Sequence, residues 1–117
     1  MVILGGDFNV NKANTNEYNN MLATLQVRAP RYAGVWAICC GLPEFSETPI
    51  DLSNGAGRPA LFQWGTRDPI VGPDRAEPVA KTLGDGGWAL SEHAYDMAHS
   101  QTIEMMVDAR AWLASID

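Results

Sequence analysis

Two ionisable residues of this sequence, Asp68 and His99, each follow a short apolar stretch that is typical of a buried strand. Asp68 comes after residues 60–64, Ala-Leu-Phe-Gln-Trp, and His99 comes after the shorter stretch 88–90, Trp-Ala-Leu. Parallel sheets gather functional side chains at the carboxyl ends of their strands, so we expect these two residues to lie together. An aspartate that orients an imidazole and stabilises its positive charge is half of a nucleophilic triad, with the histidine as general base.

The elements that would hold this pair alternate between strand and helix patterns. Besides 60–64 and 88–90, strand patterns occur at residues 2–4 and 35–40. Helix patterns cover residues 17–28 and 73–83, and Ser100 is expected to cap a last helix. The apolar stripe of that last helix consists of Ile103, Met106, Ala109, Leu113 and Ile116. This order predicts an α/β fold with a mostly parallel sheet of about four strands, flanked by three helices.

Two segments resemble a known family. Residues 65–71, Gly-Thr-Arg-Asp-Pro-Ile-Val, and residues 95–99, Tyr-Asp-Met-Ala-His, resemble the last third of an α/β-hydrolase, closest to the phospholipase/carboxylesterase branch. Residues 31–43 are similar to the strand that follows the nucleophile helix in that family. The resemblance implies Asp68 as triad acid, His99 as general base, and hydrolysis of a small ester or lipid by acyl transfer. No cofactor and no metal ion are expected.

The nucleophile of that family has no clear counterpart. Its helix pattern, laid on this chain, puts the strained turn before the helix at residues 14–18 and Asn16 at the serine position. Serine and both glycines of Gly-x-Ser-x-Gly are missing there. Asparagine cannot accept an acyl group, so the neighbouring Thr15 hydroxyl is the candidate nucleophile. An active hydrolase and an inactive remnant of one are both consistent with this pattern.

The first thirty or so residues also resemble a second family. Residues 2–12, Val-Ile-Leu-Gly-Gly-Asp-Phe-Asn-Val-Asn-Lys, are similar to bacterial neutral sphingomyelinases of the endonuclease/exonuclease/phosphatase family. That resemblance implies a Mg²⁺-dependent phosphodiesterase with Asp7 and Asn9 in its site. The Ser-Asp-His ending of that family is not found in this sequence. Residues 1–33 are therefore of ambiguous family origin, whereas residues 34–117 are α/β-hydrolase-like.

Length and charge limit the remaining possibilities. With 117 residues the chain is expected to be a single truncated α/β domain, too short for a complete α/β-hydrolase. Missing upstream strands would leave an open sheet edge, so the second hypothesis is a non-catalytic half-domain that forms a homodimer through this edge. The formal net charge of −6 argues against nucleic acid as a partner. No transmembrane segment or signal peptide is predicted, and a cytoplasmic location is expected.

Three other residues have side chains that can take part in chemistry. Cys39 and Cys40 are adjacent in a predicted buried strand, where a disulfide between neighbours would be strained, so we expect two reduced core thiols. His93 has no second ligand at metal-binding spacing and is expected to be a solvated residue at a strand end.

Overall fold

The computed structural model of the chain describes residues 3–6, 33–41 and 51–116. These residues form a four-stranded sheet, two α-helices and a short 3₁₀ helix. In chain order the elements are β1 (Ile3–Gly6), β2 (Gly34–Ile38), the 3₁₀ helix (Ser53–Gly55), β3 (Pro59–Gly65), α1 (Pro73–Asp85), β4 (Ala89–Tyr95) and α2 (Ile103–Ser115). The helix expected over residues 17–28 lies outside the described residues.

The sheet has the order β1-β2-β3-β4, and each neighbouring pair of strands is parallel. Every strand therefore leaves the sheet at the same edge, and the segments after β2, β3 and β4 meet there. This arrangement confirms the predicted α/β class. Neither of the two described helices has the length and apolar content needed to cross a membrane.

Strand β3 lies inside the sheet and is covered on both faces. Phe62 and Leu61 are completely buried, and they belong to different apolar clusters. A strand covered on both faces needs a nearly continuous apolar sequence, which is why residues 60–64 were recognisable from the sequence. Phe62 packs with the α1 residues Val79 and Leu83, whereas Leu61 packs with Trp112 of α2.

Helix α2 differs from its prediction in both its cap and its buried face. The cap is Thr102 rather than Ser100, because the Thr102 side chain accepts a hydrogen bond from the Met105 backbone N–H at 3.2 Å. The buried residues are Met105, Ala109 and Trp112. Ile103, predicted to be buried, is 85% exposed. Apolar residues surround this helix on most sides, so spacing alone does not determine which face packs on the sheet.

Strands β2 and β4 also differ from their predicted lengths. Strand β4 continues to Tyr95, because an edge strand tolerates polar residues such as Glu92 that hide it from an apolar pattern. His93 consequently lies inside β4 rather than at its end, with 44% of its side chain exposed. Strand β2 ends at Ile38, one residue before a backbone turn at Cys39.

A buried polar cluster joins the sheet to α2. The Gln63 amide accepts a hydrogen bond from Trp36 Nε1 at 2.8 Å, and it donates to Tyr95 Oη at 2.9 Å and to the Met105 carbonyl at 2.8 Å. Tyr95 in turn donates to Asp108 Oδ2 at 2.7 Å. Burial and the hydrogen bond to Asp108 raise the pKa of Tyr95 to about 12, so its hydroxyl stays a donor. We call these five residues the Gln63 network.

Candidate functional site

The segments that leave β3 and β4 are bound to each other through their backbones. Thr66 N–H donates to the Tyr95 carbonyl at 2.8 Å, and Arg67 N–H donates to the Met97 carbonyl at 3.1 Å. These hydrogen bonds continue the parallel pairing of the two strands past its last partners, Gly65 and Tyr95. Asp68, which follows Arg67, is thereby held beside the segment that leads to His99.

Gly65 allows this close approach. A Cβ at this position would lie 2.4 Å from the Met97 carbonyl oxygen and 2.7 Å from the Ala98 carbonyl oxygen. Any other residue would displace the chain just before His99, since real Cβ atoms do not come so near a carbonyl. The glycine that ends β3 is therefore part of what positions His99.

The Asp68 carboxylate is held by three hydrogen bonds, and its side chain has no exposed surface. Oδ1 accepts from the backbone N–H groups of Ile70 at 2.7 Å and Val71 at 2.9 Å. Oδ2 lies 2.7 Å from Nδ1 of His99. Burial acts to raise the pKa of Asp68, but the hydrogen bonds from Val71, Ile70 and His99 together outweigh it and hold the pKa below its ordinary value. Asp68 is thus an ionised, acceptor-only group near neutral pH.

The ionised Asp68 carboxylate determines which ring nitrogen of neutral His99 carries the proton. Because Oδ2 of Asp68 can only accept, Nδ1 of neutral His99 carries the proton and donates it, which leaves Nε2 as the acceptor nitrogen. The imidazole is 29% exposed, so the pair reaches the surface through His99 and not through Asp68. This tautomer, held by a buried carboxylate, is the one that a general base needs.

Cys39 is a third reactive group at the same edge, although the sequence predicts it only as a core thiol. Its Sγ atom, a carboxylate oxygen of Asp68 and a ring nitrogen of His99 all lie within 4.8 Å of one another. The thiol also donates to the Ser100 carbonyl at 3.6 Å. Cys39 comes directly after β2, and Asp68 comes after β3. Both therefore lie at the carboxyl ends of parallel strands, where functional side chains gather. Both cysteines are buried and reduced.

The structure does not describe the other predicted site residues. Thr15, Asn16, Asp7 and Asn9 lie outside the described residues, so their roles stay predictions. Strand β1, which would precede a nucleophile turn, ends at Gly6.

A shallow groove lies on α2, a short distance along the chain from His99. Its volume is about 430 Å³, and it is lined by Gln101, Thr102, Ile103, Met106, Val107 and Arg110. Ile103 and Val107 are strongly exposed. The groove combines apolar walls with the Arg110 side chain.

No family model and no curated protein matches this sequence. Similar solved structures exist. The Bacillus cereus carboxylesterase aligns with a TM-score of 0.72 and 18% identity over 98% of this chain and 50% of its own. TT1662 from Thermus thermophilus aligns at 0.68 with 20% identity, over 97% of this chain and 53% of its own. Zea mays acyl-protein thioesterase 2 aligns at 0.60 with 18% identity, over 73% of this chain and 41% of its own.

These similarities show the fold. The chain has a partial α/β-hydrolase fold, and it spans about half the length of the solved structures it matches. The similarity to the Bacillus cereus carboxylesterase covers nearly the whole chain. None of the comparisons shows the predicted resemblance of the first thirty residues to sphingomyelinases.

Proposed function

We propose that this chain carries the acid and base of a carboxylic ester hydrolase, with His99 as general base and Asp68 as the residue that orients it. The observation that carries the proposal is the 2.7 Å hydrogen bond from His99 Nδ1 to the buried Asp68, at the carboxyl ends of adjacent parallel strands. The fold shared with a carboxylesterase and an acyl-protein thioesterase supports it. A small ester or lipid is the substrate in this proposal.

The proton transfers follow from the tautomer of His99. Nε2 accepts the proton of a nucleophilic hydroxyl as that oxygen attacks the ester carbonyl, and the Asp68 carboxylate stabilises the imidazolium that results. The imidazolium then gives the proton to the departing alcohol, which leaves an acyl-enzyme. Water, activated by the same Nε2, releases the carboxylic acid and restores the hydroxyl.

The nucleophile in this proposal is the Thr15 hydroxyl or a serine supplied by another chain. In α/β-hydrolases the nucleophile stands on a sharp turn directly after its strand. Thr15 lies outside the described residues, so its position relative to such a turn stays a prediction. Labelling with a fluorophosphonate separates the two, because the labelled peptide would contain Thr15 in one case and belong to a second chain in the other.

The experiment measures hydrolysis of a short-chain p-nitrophenyl ester by the purified wild type, His99→Gln and His93→Gln. His93→Gln is the matched control, because the chain has two histidines and His93 lies on the exposed edge strand. We expect the His99 variant to lose about 100-fold or more of the rate and the His93 variant to keep it. A wild-type rate equal to buffer, or equal losses in both variants, would refute catalysis by this chain alone.

A second candidate function is a non-catalytic half-domain that pairs through its sheet edge. Strand β1 is one of the two outer strands of the described sheet, and it pairs with β2 on one side. An outer strand offers backbone groups to another strand, and a homodimer closes such an edge most simply. Sedimentation at micromolar concentration is expected to show a dimer, and a stable monomer would contradict this candidate.

The phosphodiesterase alternative rests on the sequence resemblance of residues 2–12 alone. Asp7 and Asn9 would act with Mg²⁺ on a phosphodiester in that case. It predicts Mg²⁺-dependent release of phosphocholine from sphingomyelin, lost in Asp7→Ala. Release that does not depend on Mg²⁺ or on Asp7 would eliminate it.

A further inference from the structure

The side chain of Cys39 points to the opposite face of the sheet from the one that strand alternation predicts. In β2, Val35 and Ala37 pack on the α1 side, and Ile38 packs on the α2 side. Alternation would return residue 39 to the α1 side. Instead Cys39 joins Ile38 in the cluster on the α2 side, and Cys40 packs on the α1 side.

The cause is a backbone turn at Cys39 itself, where φ is +48°. Cys39 is the one non-glycine residue with positive φ among those the structure describes. Such a conformation is unfavourable for a residue with a Cβ, and it persists where the surroundings impose it, often at functional sites. Here it turns the thiol toward Asp68 and His99.

The three groups brought together form a set of metal ligands. Thiolate, imidazole and carboxylate are the donors that zinc takes in proteins, at about 2.0 to 2.3 Å from the ion. Tetrahedral coordination at these lengths places the donors roughly 3.3 to 3.6 Å from one another. One donor atom from each of the three residues lies within 4.8 Å of the others. Asp68 Oδ2 and His99 Nδ1 are 2.7 Å apart. Side-chain shifts on the order of 1 Å would complete the site.

We propose that Cys39, Asp68 and His99 bind one thiophilic divalent cation, Zn²⁺ in preference to Mg²⁺, with water at the fourth position where His99 reaches the solvent. A thiolate ligand selects against hard cations such as Mg²⁺ and Ca²⁺. The hydrogen bonds from Ile70 and Val71 to Oδ1 of Asp68 orient the carboxylate for this role, as outer partners do in protein metal sites.

The protons balance without a further reagent. The Cys39 thiol releases its proton to solvent when the sulfur binds the cation. His99 gives Nδ1 to the cation and keeps its single proton on Nε2, while Asp68 is already ionised. The cation then takes the place of the Nδ1 proton that His99 donates to Asp68.

Cation binding and base catalysis therefore exclude each other, a consequence that rests on the proposed function. With Nδ1 on the cation and the proton on Nε2, His99 has no acceptor nitrogen left for a nucleophile. Zn²⁺ would inhibit ester hydrolysis, and a chelator would restore it. Cation binding itself requires no catalytic activity and is measured without substrate.

The test is calorimetric titration of the full, chelator-treated chain with Zn²⁺ for the wild type, Cys39→Ser and Cys40→Ser. Cys40 is the matched control, a buried thiol next in sequence that packs on the other face of the sheet. We expect one Zn²⁺ per chain in the wild type and in Cys40→Ser, and affinity at least about 10-fold weaker in Cys39→Ser. No binding by the wild type, or equal loss in the two serine variants, would overturn the proposal.

A spectroscopic measurement covers the case in which Cys39→Ser fails to fold. Co²⁺ bound to a thiolate gives a sulfur-to-metal charge-transfer band in the near ultraviolet, so the wild type and Cys40→Ser are expected to show it. Absence of the band from the wild type, or its loss in folded Cys40→Ser, would remove Cys39 from the site. These results are independent of ester hydrolysis, so failure of the proposed function and failure of the cation site are distinguishable.

Discussion

The Gln63 network and the Asp68–His99 pair are both polar clusters of this sheet, but they lie at different depths. Gln63 sits inside β3, completely buried, with its carbonyl and amide groups hydrogen-bonded to Trp36, Tyr95 and Met105. The pair lies past the strand ends, where Asp68 is buried and His99 is 29% exposed. Only a few residues of β3 separate the two clusters.

The difference in depth between the two clusters implies different roles, stability for the Gln63 network and reactivity for the Asp68–His99 pair. A buried amide must satisfy its hydrogen-bonding groups within the protein, and the Gln63 network does so by joining β2, β3, β4 and α2. At the strand ends, backbone N–H groups donate to Oδ1 of Asp68, and the His99 imidazole is partly exposed to the solvent. Substitutions in the first cluster should therefore change the free energy of unfolding, and those in the second should change reactivity.

The largest expected effect on stability comes from Gln63→Leu. The substitution leaves Trp36 Nε1 without its acceptor and removes the side-chain donor to the Met105 carbonyl, and we expect a loss of about 3 kcal/mol in the free energy of unfolding. Urea denaturation measures it. The exposed Gln101→Leu is the control and should change stability by less than about 0.5 kcal/mol. Equal losses of stability in Gln63→Leu and Gln101→Leu would show that the hydrogen bonds of the Gln63 network do not stabilise the fold.

Gly65→Ala tests the connection between the clusters, because Gly65 ends β3 beneath the segment that carries His99. The new Cβ meets the Met97 and Ala98 carbonyls, and we expect a loss of about 2 kcal/mol together with reduced ester hydrolysis. Gly84→Ala is the matched control, since a Cβ there meets nothing within 4 Å inside α1. That variant should gain about 0.5 to 1 kcal/mol. A neutral Gly65→Ala would show that close approach at β3 does not position His99.

The hydrogen bonds to Asp68 also predict a pH dependence of stability. Its pKa is lower in the folded state than in the unfolded chain, so the folded state binds fewer protons. The resulting stability is fully present above about pH 4, the ordinary value for an aspartate, and it is lost as the pH falls through the folded pKa. Urea denaturation across this range should show a smaller acid-induced loss for Asp68→Asn than for the wild type. Identical pH profiles would contradict the assigned hydrogen bonds.

The smallest effect is expected at the ion pair outside the site. Arg67 Nε lies 2.5 Å from Asp96 Oδ1, and both side chains are mostly exposed. Solvent screens such a pair, so Asp96→Ala should change the free energy of unfolding by less than about 0.5 kcal/mol and leave ester hydrolysis unchanged. A large loss of hydrolysis in this variant would indicate that Asp96 and not Asp68 supports the histidine.

The sequence predicts an element correctly where its apolar pattern is unambiguous. A strand buried on both faces has a continuous apolar run, and a helix with clear end signals has defined bounds. The strand pattern of residues 60–64 and the helix pattern of residues 73–83 are of this kind. The positions of Asp68 and His99 after predicted parallel strands also place them together, as the structure has them. The predicted stripe of helix α2 is right in part, since Ala109, Leu113 and Ile116 pack on the core. Ile103 is exposed instead of buried, because apolar residues surround the helix axis and spacing alone does not select the face. Strand β4 was predicted too short because its exposed edge is polar.

Cys39 shows a different limit of sequence reasoning. A positive φ at a non-glycine residue has no sequence signal, and period-two alternation predicts the wrong face when such a turn occurs. The clue that remained was position, since Cys39 lies near the carboxyl end of the strand predicted over residues 35–40. The role of Thr15 depends on residues between β1 and β2 that lie outside the described ranges.

The central claim, that Asp68 and His99 act as one unit, is tested most directly by a double-variant cycle on ester hydrolysis. The rates of His99→Gln, Asp68→Asn and the double variant are compared with that of the wild type. If Asp68 acts through His99, the double variant should lose no more activity than His99→Gln alone, because the orienting group has nothing left to orient. Losses that multiply would contradict the account, since they would mean that the two residues contribute independently.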